Sequence, residues 1–166
     1  MSTPTQFSAL LLALAVLFGP VAAQELHTTE QWRARFTREG DPVHKARILV
    51  SLGDSEFKDA QRALADDKIP QSLEILKEYL GEAQSVEKAL SAKIADPEKH
   101  PKGFKELQIS LRESLRRMDS IIVGLSADDR TPFQGIRGQL DEMDRHLIQQ
   151  LFPKQPGHTD VKKPGS

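Results

Sequence analysis

The chain has no cysteine. That excludes a disulfide framework, thiolate metal sites, covalently attached haem and a lipid-modified N-terminal cysteine. It has no excess of either charge: 23 basic residues face 24 acidic ones, and neither sign gathers in a tail. A nucleic-acid footprint needs a basic excess on one face, so nucleic acid is not an expected partner. Gly-x-Ser-x-Gly is missing, as are both phosphate-binding glycine motifs. No alternating apolar pattern is long enough for a strand. Aromatics are scarce at 5%, whereas charged residues make up 28% and Leu, Ala, Glu, Lys and Arg abound. That composition predicts an all-helical protein.

The one long apolar run is at the start. "SALLLALAVLFG" (residues 8–19) precedes Pro20 and "VAA". An apolar core of about a dozen residues with small residues at its exit is the pattern of a secretory signal peptide, and it is shorter than a membrane span. Val21 and Ala23 suit the small-residue subsites of a signal peptidase, so cleavage is expected between Ala23 and Gln24. "MSTPTQF" carries no Lys or Arg, which departs from the pattern and leaves an uncleaved anchor as the alternative. After cleavage no stable membrane anchor is expected. Residues 1–23 are read as the signal and 24–40 as an N-terminal segment. Residues 41–152 are read as one helical domain and 153–166, "PKQPGHTDVKKPGS", as a disordered tail.

Within residues 27–40 a short helix is expected, capped by Thr28 with Gln31 as reciprocal partner and ended by Gly40. Four long helices follow. Asp41 and Pro42 give the first a cap and a first residue. Its stripe runs through Val43, Ala46, Val50, Phe57, Ala60 and Leu64, with Gly53 in register, and Ile48, Leu49 and Leu52 widen it. The second starts near Pro70, with Ile69, Leu73, Leu76, Leu80, Ala83, Leu90 and Ile94 as its stripe, flanked by Ile75, Tyr79 and Val86. "ADPEKHPKG" (95–103) reads as a loop. The third carries Phe104, Leu107, Leu111, Leu115, Met118, Ile122 and Leu125. "SADDR" reads as a turn, with Thr131 and Pro132 opening the fourth helix: Phe133, Ile136, Leu140, Met143, Leu147 and Leu151. Matched lengths and short links predict an up-down four-helix bundle of long helices. Gly53, Gly81, Gly135 and Gly138 fall inside helices. Each costs about 1 kcal/mol relative to Ala, a cost that close approach of a neighbouring helix would offset.

"SLG" (51–53) and "DKIPQSLEILKEY" (67–79) resemble the first-helix small-residue step and the turn plus second helix of a tetratricopeptide repeat. Ile69 takes the place of the usual aromatic and Ser72 that of the usual small residue. The segment between "SLG" and the turn is two helical turns longer than in the family, Tyr79 replaces a small alanine, and nothing after Ile94 repeats the unit. The resemblance therefore covers one hairpin. It implies a peptide-binding module, kept here as an alternative. "VSLG", "GFKELQISLRESLRR" and "LFP" also resemble uncharacterised secreted bacterial helical proteins, which implies no activity. "HTTEQW" is faintly similar to a Leu-Thr-x-x-Gln motif of envelope-stress chaperones, but His27 or Thr28 stands where the leucine is expected.

Chemistry is thin. The five histidines are scattered, and in "DEMDRH" Met143 stands where a di-metal bundle needs Glu. Glu142 and His146 share a face, one pair only. Met118 and Met143 read as packing rather than haem ligands. No catalytic residue, cofactor or metal is therefore assigned, and a site assembled from separated residues is the third alternative. Candidate partner-binding residues are Trp32 and Phe36, four apart on one face, and Lys105, Arg112 and Arg116, a basic stripe on the third helix. The expected function is an exported, non-enzymatic helical protein acting through protein contacts or as an envelope structural element. Its partner is unknown and includes a second copy of itself.

Overall fold

The computed structural model describes residues 21–153, with side chains from residue 29. Residues 1–20, most of the expected signal (1–23), and residues 154–166, most of the expected tail (153–166), lie outside the described residues. The described chain is all-helical: α1 Val21–Arg38, α2 Pro42–Ala65, α3 Ile69–Lys93, α4 Phe104–Gly124 and α5 Ala127–Leu151. None of these helices is long and apolar enough to cross a membrane.

Local chemistry sets most of the boundaries. The Asp41 carboxylate accepts from the amides of Val43 and His44 at 2.9 and 3.0 Å, and Pro42 sits in the first turn. Lys93, at the end of α3, pairs with the same carboxylate at 2.5 Å. Together with the capping amides it holds Asp41 down at about 2. Gly103, at φ +85°, opens α4, and its amide donates to Glu106 at 2.7 Å. A Cβ at Gly103 would lie 2.5 Å from Leu90 and 3.3 Å from the backbone of Val43. Only glycine fits where α2, α3 and α4 converge.

Two boundaries differ from expectation. The first helix is not short: it runs back to Val21, so Thr28 lies inside it. The residues ahead of Thr28 are Val, Ala, Ala, Gln, Glu, Leu and His, mostly good helix formers, and nothing in them stops the helix. The neighbouring Thr29 hydroxyl instead donates across to Asp59 of α2 at 2.7 Å. The last helix starts at Ala127, not Pro132. Ser126 caps it, accepting from the Asp129 amide at 3.3 Å, and Asp128 and Asp129 lie at the positive end of the helix dipole. Pro132 falls in the second turn, where its missing N–H forfeits one helical hydrogen bond.

Contacts between helices fix their directions. Arg47–Glu106 and Asp54–Arg117 join early positions of α2 and α4 to each other and later positions likewise, so these two helices run parallel. Gln84–Gln139 and Glu87–His146 do the same for α3 and α5. Asp119–Arg137 and Gln108–Asp144 show α4 and α5 antiparallel. α2 packs on α3, and α4 on α5. The two pairs meet through α2–α4, α3–α5 and a diagonal α3–α4 contact, and α1 covers α2. Among the described residues α2 and α5 do not pack together.

The core runs through all of these contacts. Leu107, Leu111 and Met118 of α4, and Phe133, Leu140 and Leu147 of α5, are fully buried. On α2 the stripe is rotated from expectation. Ile48, Leu49 and Leu52 are core, while Val50 is 44% exposed, because α2 carries α1 as well as packing on α3 and α4. Tyr79, expected on the flank of α3, is fully buried at the centre. Its ring meets Phe57 edge-on at 5.2 Å and lies over Gly53, where a Cβ would be 2.6 Å from the ring. Gly53 thus has its close neighbour. Gly81, Gly135 and Gly138 have open space instead, so no approach offsets them.

Candidate functional site

The outer face of α4 carries two of the five large apolar side chains that are exposed among the described residues. Lys105, Ile109, Arg112, Arg116 and Val123 recur at spacings of three, four and seven, on the side directly opposite the buried Leu107, Leu111 and Met118. Ile109 is 63% exposed and Val123 is 78% exposed. Arg116 has a loose contact with Glu113 at 3.4 Å. Among the described residues Lys105 and Arg112 have no ion pair. The nearest acids are taken up at the edges: Glu106 by Arg47, Asp119 by Arg137, and Glu113 by Arg117. The strip is about 27 Å long at 1.5 Å per residue. It offers cations and aliphatic side chains side by side, which suits an acidic, partly apolar surface.

The other sequence candidates land differently. Phe36 is buried in the core with the Lys45 ammonium 4.6 Å from its ring centroid, so it offers no surface. Trp32 is half-buried against the same core, with the Arg35 guanidinium 5.3 Å from its ring. Neither joins Lys105, Arg112 and Arg116, which sit on a different helix. The backbone at Ala23 and Gln24 is part of α1. His146 turns away from Glu142 and lies 2.7 Å from Glu87 of α3. Among the described residues no three of His, Asp and Glu are placed to hold a metal ion.

A second polar site was invisible in the sequence. Arg33 of α1 reaches Glu56 of α2 at 2.5 Å and Glu78 of α3 at 2.7 Å, and its Nε lies 3.7 Å from Glu82 of α3. Glu56 is fully buried. Burial, outweighing the pull of Arg33, raises its carboxyl above the ordinary range. Burial and the neighbouring Glu56 push Glu82 up to about 8. The four residues come from three helices, and only the 78/82 spacing is visible within one helix.

A shallow cleft of about 520 Å³ opens where the α2–α3 turn meets the α4–α5 turn. Leu64, Ile69, Ile121 and Leu125 form its apolar part, with Asp67, Ser126 and Asp129 at its rim. Ser126 and Asp129 are occupied in capping α5. The Ser126 hydroxyl donates to the Asp129 carboxylate at 2.5 Å, and Ser120 also lines the cleft.

No family model, curated protein or solved structure matches the chain.

Proposed function

We propose that the protein is an exported, non-enzymatic helical interaction module that engages an acidic partner through the outer face of α4. The supporting observation is the strip of Lys105, Ile109, Arg112, Arg116 and Val123. Two aliphatic residues at 63% and 78% exposure stand among its cations, and together they offer apolar and positive surface that an acidic partner would cover. Export rests on the apolar leader, with cleavage between Ala23 and Gln24.

The matching reading of the fold is an up-down four-helix body made of two hairpins side by side. Its support is the parallel run of α2 with α4 and of α3 with α5. That arrangement favours a second reading, the tetratricopeptide-like one, in which a peptide lies along the α2–α4 seam beside exposed Val50.

Charge reversal separates the two. The double variant R112E/R116E, at exposed positions, should keep its helical circular dichroism and lose the partner that wild type captures from its native envelope fraction. Val50→Glu should leave capture intact. Capture lost with Val50→Glu and kept with R112E/R116E would favour the seam. No specific partner for wild type would overturn both readings.

A further inference from the structure

Besides the buried Phe36 and the Thr29–Asp59 hydrogen bond, α1 is held to the rest of the chain by a junction with too little positive charge. Arg33 alone is paired there with Glu56, Glu78 and Glu82. Glu56 Oε2 is fully enclosed and has no hydrogen-bond partner, and neither do Glu82 Oε2 and Arg33 Nε. A buried carboxylate oxygen without a donor carries its whole desolvation cost. Glu56 and Glu82 both face Arg33 and each keeps one enclosed oxygen without a donor, so a proton held between them removes one of the two buried charges.

The surrounding charges are committed elsewhere. On α2, Asp59 takes the Thr29 hydroxyl and pairs with Arg62, and Asp54 pairs with Lys58. From α4, Arg117 reaches Asp54 and Glu113. On α3, Tyr79 is bonded to Ser110 and Ser114 of α4. α5 meets α3 through Glu87 and His146.

We propose that a proton shared by Glu56 and Glu82 latches α1 onto α2 and α3, so that the N-terminal helix is released when the medium turns alkaline. Once that proton leaves, three carboxylates face one guanidinium, two of them largely out of water. The direction follows from Glu82, raised from 4.5 to about 8 in the folded chain. Docked α1 binds the proton more tightly than released α1. Its advantage is therefore complete below the ordinary carboxyl value and is lost as pH rises through about 8. This latch stands apart from the α4 face and does not depend on it.

Trp32 reads the latch directly: it is the chain's single Trp, it belongs to α1, and it is half-buried on the core. Its emission in the full chain should shift to the red between about pH 6 and about pH 10, with a midpoint near 8, while far-UV circular dichroism keeps most of its helical signal. Glu82→Gln supplies a neutral donor at every pH and should abolish the shift. Glu78→Gln, at an exposed position, removes one repelling charge and should move the midpoint down; it decides the matter where the first variant does not fold. A flat wild-type titration, or a midpoint that neither variant moves, would overturn the proposal.

Discussion

Two buried polar clusters hold helices together in this chain, and they differ in kind. Tyr79 of α3 places its hydroxyl 2.6 Å from Ser114 Oγ and 3.2 Å from Ser110 Oγ of α4, and Ser114 in turn donates to the Ser110 carbonyl at 2.9 Å. All groups are neutral, burial keeps the phenol protonated, and each hydroxyl has a partner. Arg33 with Glu56, Glu78 and Glu82 joins α1 to α2 and α3, but its charges do not cancel and three of its buried atoms are unpaired. A satisfied neutral network fixes a packing arrangement. An unbalanced charged one leaves the helix it holds dependent on protonation.

The sharpest way to break the first cluster is Tyr79→Ala. It removes a fully buried ring from the contact of α2, α3 and α4 and should cost about 3–5 kcal/mol in chemical denaturation. Gly53→Ala attacks the same point from the other side, pressing a methyl into that ring. A loss of about 1–3 kcal/mol is expected, and it should shrink when Tyr79→Leu is combined with it in a double-mutant cycle. Tyr79→Phe keeps the packing and strips only the hydrogen bonds, for about 1–2 kcal/mol. Gly81→Ala is the control. It meets open space on an exposed helix face and should stabilise by about 0.5–1 kcal/mol. Smaller still is the contribution of Asp41, held at about 2 by Lys93 and the capping amides. Its stabilisation is present above the ordinary value of 3.8 and fades as pH falls toward 2; Asp41→Asn should flatten that acid-side loss in thermal melts.

The same contrast explains what the sequence could convey. α4 and α5 each bury one face, so Leu107, Leu111, Leu140 and Leu147 keep a clean helical period and were legible. α2 packs on α3 and α4 and also carries α1, which neither α4 nor α5 touches among the described residues. Its averaged stripe therefore pointed to Val50, which is exposed, and treated Leu49 and Leu52 as extras. Asp41 before Pro42 was a readable cap because both signals agree. At the start of α5 two signals compete, Ser126 with Asp129 against Thr131 with Pro132, and the earlier one wins because acidic residues already fill the first turn. Lys105, Arg112 and Arg116 showed their common face through spacing alone. Ile109 and Val123 fall outside the apolar stripe of α4, and only their exposure sets them apart. The Arg33 junction had no local signature, since Glu56 lies 23 residues from its partner and looks like any solvated carboxylate.

Residue-resolved hydrogen exchange, corrected for intrinsic rates, compares the two clusters in one experiment. Between about pH 6 and about pH 9 the amides of α1 should lose protection while those around Tyr79 and Ser114 hold theirs. Protection in α1 that stays constant across that range, or that falls in step with the Tyr79 region, would contradict the account.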